Sequence, residues 1–81
     1  MANNIHILLV EDEDNLGYIL SEYLQMKGFR VTRALNGKTG LEKLQAVLYD
    51  LCLLDIMLPD IDGFAIAKQI HEAGITTPFI F

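Results

Sequence analysis

Apolar positions along the chain follow two rhythms, short unbroken runs and stripes spaced three to four apart, and the two alternate from one end to the other. Ile5 to Val10 reads I-H-I-L-L-V, the pattern of a strand buried on both faces. An acidic run, Glu11-Asp12-Glu13-Asp14, follows at once. Leu16, Ile19, Leu20, Tyr23 and Leu24 then recur at helical spacing, which predicts a one-faced helix capped by Asp14 or Asn15 and stopped by Gly28. From Phe29 to Ala34, Phe29 and Val31 alternate with Arg30 and Thr32, as in a half-exposed strand at a sheet edge. Asn36-Gly37 opens a second helix marked by Leu41, Leu44 and Leu48. Leu51 to Leu54 is a second fully apolar strand, ending on Asp55. A loop with Pro59 and Gly63 leads to a third helix whose expected inward residues are Phe64, Ala67 and Ile70, with Gly74 as its stop. Thr77-Pro78 then enters Phe79-Ile80-Phe81, a fourth strand.

Strands alternating with helices imply an α/β fold: a doubly wound parallel sheet, right-handed crossovers and helices on both faces. The order is βαβαβαβ within one domain spanning 1–81. Ligands of such folds bind at the carboxyl ends of the strands, where strand order reverses. The first and third strands are neighbours there if the order is flavodoxin-like, which alternation alone leaves open.

Composition adds two constraints. A chain of 81 residues has room for one core and buries only roughly 60% of its unfolded surface. Its hydrophobic fraction of 52% and mean hydropathy of +0.32 are high for that size, so some apolar surface is expected to lack cover. Eleven acids against six bases give a charge of −5, which repels nucleic acid and anionic membranes and favours cations or basic partners. Cys52 is the only cysteine, so no internal disulfide forms. Without a signal pattern or a membrane-length apolar run, a cytoplasmic location is expected.

The candidate chemistry lies in the acids. Glu11 and Asp12 follow one apolar strand and Asp55 closes another. If those strands are parallel neighbours, three carboxylates converge. Unit charges at 4 Å repel by about 4 kcal/mol at an effective dielectric near 20, so either protonation or a bound cation must relieve the crowding. Hard oxygen ligands suit Mg²⁺, and the lack of a cysteine-histidine cluster argues against structural zinc.

Residues 50–63 read D-L-C-L-L-D-I-M-L-P-D-I-D-G. With the Glu11-Asp12 pair, this resembles the receiver domain of bacterial two-component response regulators, from Ile5 to Phe81. The resemblance implies a flavodoxin-like sheet in the order 2-1-3-4-5 and assigns Asp55 as phospho-acceptor. It further implies Asp12 as a direct Mg²⁺ ligand, Glu11 as a ligand mostly through water, and the Met57 backbone carbonyl as another ligand. A sensor histidine kinase would supply the phosphoryl group, and a separate output domain would regulate transcription. Receivers also use a hydroxyl residue after the fourth strand and a lysine after the fifth. The sequence contains neither, and Lys27, Lys38, Lys43 and Lys68 do not follow a fifth strand, so the lysine role passes to no residue. The last strand and last two helices of the family are expected to be absent, with the apolar Phe79-Ile80-Phe81 edge driving self-association.

Two other classes remain in view. A haloacid-dehalogenase-type phosphohydrolase also uses a strand-end aspartate with Mg²⁺, but it wants a second aspartate two positions on, where Met57 stands. A phosphate-inactive interaction module is the third class, and retention of Asp55 and the acidic pair argues against it. Glu13 and Asp14 are expected to do no more than favour a helix N-terminus. Asp60 and Asp62 are expected to be loop or capping residues, Cys52 a small buried hydrophobe, His6 and His71 structural or exposed, and Thr76 and Thr77 turn residues.

Overall fold

The computed structural model describes residues 5–54 and 63–80. Four strands, β1 (His6–Val10), β2 (Arg30–Ala34), β3 (Leu51–Leu54) and β4 (Phe79–Ile80), alternate with three helices, α1 (Asp14–Met26), α2 (Gly37–Ala46) and α3 (Gly63–Glu72). All pairings are parallel and the order is β2-β1-β3-β4. The sheet is therefore flavodoxin-like, and the adjacency of the first and third strands follows from observed pairing.

The two central strands carry the apolar runs: β1 is buried from Ile7 to Val10, and β3 is buried at Cys52 and Leu54 and half-buried at Leu51 and Leu53. Leu8, Val10, Cys52 and Leu54 pack with Ala34, Leu44, Tyr49, Ile66 and Ile70 into the main core. Gly40 of α2 lies close to β1: a Cβ there would stand 2.8 Å from Val10 Cγ2.

Four local expectations change. The N-cap of α1 is Glu13, not Asp14 or Asn15: its carboxylate accepts the Leu16 N–H. Short acids are the usual caps, but the longer Glu13 side chain bends back over the first turn. Leu48 lies beyond the end of α2 and is 80% exposed, because Val47 already has extended backbone. In α3 the inward residue of the first turn is Ile66, 1% exposed, whereas Phe64 is 66% exposed; burial of Ile66 and Ile70, one turn apart, sets the helix phase. Thr77, expected as a turn residue, is instead buried outside any turn, and its hydroxyl has no hydrogen-bond partner among the described residues.

Gly28 and Gly74 take positive φ, 93° and 72°, and stop α1 and α3 as expected. The apolar stripe of α1 is only partly covered among the described residues, with Leu16, Ile19 and Tyr23 exposed. Between α1 and the sheet runs a groove of about 300 Å³ whose lining includes Leu9, Leu16, Leu20, Leu53 and Ile80.

Candidate functional site

Register decides which acids can meet. Val10 pairs with Leu54 at the end of the β1–β3 ladder, so β1 and β3 end side by side at one rim of the sheet, and Glu11 follows β1 there. This is the carboxyl end, where parallel α/β folds place their ligands. Asp55 and Met57 themselves lie outside the described residues, as do Asp60 and Asp62. Among the described residues no three histidine, cysteine, aspartate or glutamate side chains converge as a metal-binding group.

Glu11 is 6% exposed, unusual for a carboxylate, and its backbone and side chain are held separately. Its N–H donates to the Ala34 carbonyl at 3.0 Å, continuing the β1–β2 ladder. Its carboxylate oxygen Oε2 accepts the Glu13 N–H at 3.0 Å. Its carbonyl accepts two N–H groups from Arg33, Nε at 3.1 Å and Nη2 at 2.9 Å. Asp12, the next residue, is exposed, so the pair presents one sheltered and one open carboxylate at the strand end.

Arg33 carries no signal in the sequence reading. Arg33 pairs with Leu9 in register and also contacts Asp14 Oδ1 through Nη2 at 3.3 Å. That acid therefore does more than favour the start of α1. Only the glycine inside the apolar stripe of α1 offers a hint, since a mid-helix glycine costs about 1 kcal/mol against alanine and its retention implies a close approach.

The other candidates lie elsewhere. His6 sits at the amino end of β1, where Nε2 is 2.7 Å from Thr32 Oγ1 and the ring lies 4.6 Å from that of Tyr49. The backbone N–H of His6 donates to Asp50 Oδ2 at 2.8 Å. This network ties β1, β2 and the entry to β3 at the rim opposite the acids, so His6 is structural. Cys52 is fully buried, and burial pushes its thiol from 9.0 up to about 12. A thiol so hard to ionise is packing material rather than a nucleophile.

Comparison with known proteins fits this arrangement. The family profile described as the response regulator receiver domain matches residues 7–81. The transcriptional regulatory protein RprY of Bacteroides fragilis is 41% identical over 81 residues, covering 100% of this chain and 34% of the relative. The chain thus spans about a third of the length of the curated relatives it matches. Response regulator TrrA from Thermotoga maritima, in a complex with Mg²⁺ and BeF, superposes with a TM-score of 0.81 at 39% identity, covering 85% of this chain and 60% of that one. TrrA in complex with the histidine kinase ThkA gives a TM-score of 0.85 at 36% identity, covering 93% of this chain and 65% of that one.

Proposed function

The chain belongs to the response regulator receiver family of two-component systems, and from that premise we propose that Asp55 accepts a phosphoryl group beside Mg²⁺. The observation that supports the proposal is the Val10–Leu54 pairing, which sets the ends of β1 and β3 side by side; Glu11-Asp12 and Asp55 are the residues that follow them in sequence.

The donors fit the ion. Asp12, Asp55, the Met57 carbonyl and, mostly through water, Glu11 would supply an all-oxygen ligand set, as Mg²⁺ prefers. When bound, Mg²⁺ neutralises charge on the transferring phosphoryl oxygens and fixes their orientation. Everything else is done by the chain. A carboxylate oxygen of Asp55 attacks phosphorus as the bond from phosphorus to the donor's imidazole nitrogen breaks. The electron pair of that bond stays with the imidazole, which takes up a proton, and Asp55 becomes a mixed anhydride. Glu11, sheltered at the end of β1, would offer its carboxylate oxygens at this rim.

The donor in this reading is the phosphohistidine of a sensor histidine kinase, as the TrrA–ThkA pair suggests by analogy. The output is transcriptional control through a separate domain, by analogy with RprY. Residues 1–81 act as the amino-terminal part of the receiver, in the cytoplasm, with no direct contact to nucleic acid. No helix among the described residues is long and apolar enough to cross a membrane. Prepared alone, these 81 residues self-associate through the fourth-strand edge. The phosphohydrolase alternative has no support here: Met57 stands where its second aspartate belongs, and the family match is to receivers.

The test is phosphorylation of the intact natural protein by a small acyl-phosphate donor with Mg²⁺, followed by mass analysis of peptides. One phosphoryl group on the peptide containing Asp55, lost in Asp55→Asn and without Mg²⁺, is expected. Equal labelling of Asp55→Asn would overturn the assignment.

A further inference from the structure

The Mg²⁺ ligand Asp12 depends on a residue far from it in sequence. The peptide joining Glu11 to Asp12 is planar, so whatever fixes the Glu11 carbonyl also fixes the plane from which Asp12 projects. Arg33 grips that oxygen with two N–H groups, at 3.1 and 2.9 Å, while Nη2 also lies 3.3 Å from Asp14 Oδ1. One planar guanidinium on the edge strand therefore spans both sides of Asp12. The rest of the bracket is the Glu11 N–H bond to Ala34 and the bond from the Glu13 N–H to Glu11 Oε2.

Gly17 is the counterpart. A Cβ at Gly17 would fall 2.4 Å from Arg33 Nε, 2.5 Å from Cζ and 2.8 Å from Nη2. The guanidinium occupies the space that a side chain at residue 17 would need. Because the atoms in the way belong to the far end of a flexible side chain, an alanine there would push Arg33 aside and leave the helix intact.

We infer that Arg33, seated on Gly17, is a positioning residue that orients the Glu11-Asp12 peptide for divalent-cation binding. The inference rests on the functional reading above, because it requires Asp12 to be a ligand. It goes further by assigning the precision of that ligand to the Arg33–Gly17 pair. Two effects of Arg33 on Mg²⁺ oppose each other. Its fork orders the loop, whereas its charge repels a nearby cation. Outer-shell partners that orient ligands are typically worth 10–100-fold in metal affinity. With the repulsion subtracted, a loss near the low end of that range is expected.

The experiment is a Mg²⁺ titration of the intact natural protein followed by amide chemical shifts, with amide exchange of Glu13 measured in the metal-free protein. Arg33→Ala and Gly17→Ala should each weaken Mg²⁺ about 10-fold and speed Glu13 exchange. The double variant should be no weaker than Arg33→Ala alone, since both changes remove one interaction. Arg33→Lys, which keeps the charge but loses the fork, should recover only part of the affinity. Unchanged or tighter Mg²⁺ binding in Arg33→Ala and Gly17→Ala, or additive losses in the double variant, would overturn the inference. Asp55→Asn serves as the separate control. If it binds Mg²⁺ like the natural protein, the proposed site itself is wrong; if it loses binding while Arg33→Ala does not, only the positioning role fails.

Discussion

At the residue scale, two buried ionisable side chains sit in different surroundings. Glu11 tolerates 6% exposure because it sits at a strand end, with the Glu13 N–H donated to its carboxylate. Cys52 lies within a strand and its thiol is pushed up to about 12. Because its folded value lies above the unfolded 9.0, the unfolded chain gives up the proton first as pH rises. The stability this group contributes is therefore full below about pH 9 and is lost as pH climbs towards 12. The stability difference between the natural protein and Cys52→Ala, measured by urea unfolding, should shrink by about 2 kcal/mol between about pH 8 and about pH 10.5. A constant difference would show that folding leaves the ionisation of this thiol unshifted.

At the element scale, close approach governs how helices meet the sheet. Gly40 lets α2 settle on Val10, which is 1% exposed and has no room to move. Gly40→Ala should therefore cost about 1–3 kcal/mol, despite alanine's better helix propensity, when read by chemical denaturation. Gly17→Ala should cost far less, because only the end of Arg33 must give way. The same contrast explains what could be read in advance. The two apolar runs, Ile5–Val10 and Leu51–Leu54, show as strands because they lie at the centre of the sheet, and the acids after them in sequence stand out against them. The phase of α3 was less legible: Phe64, Ala67 and Ile70 fit a helical stripe, but packing buries Ile66 instead. Arg33 could not be found from local pattern at all, since in sequence it is one polar position on an alternating strand. Its role comes from β2 lying beside β1 and from a glycine sixteen residues earlier in the chain.

At the scale of the whole molecule, parallel register turns local sequence into a site. Each strand enters at one rim and leaves at the other, so structural polar contacts such as His6–Thr32 collect at the amino rim and the acidic pair at the carboxyl rim. The strand order 2-1-3-4 was expected only by resemblance and is now observed. Cover is less even. Leu16, Ile19, Tyr23 and Ile80 are exposed, and Leu16 and Ile80 also line the groove beside α1. Prepared as these 81 residues alone, the protein should form dimers or larger species at high micromolar concentration, because exposed apolar faces and strand edges recruit partners. Light scattering that finds only monomer would contradict this.

The central claim is that acids from the ends of β1 and β3 share a single divalent ion. Manganese, a paramagnetic substitute for Mg²⁺ with the same preference for oxygen ligands, tests it directly through the broadening of nearby amide resonances. At substoichiometric Mn²⁺, the account predicts simultaneous loss of the amide signals around Asp12 and around Asp55–Met57, reversed by excess Mg²⁺. Broadening at only one of the two segments, or scattered over the exposed acids of α1 and α2, would contradict it.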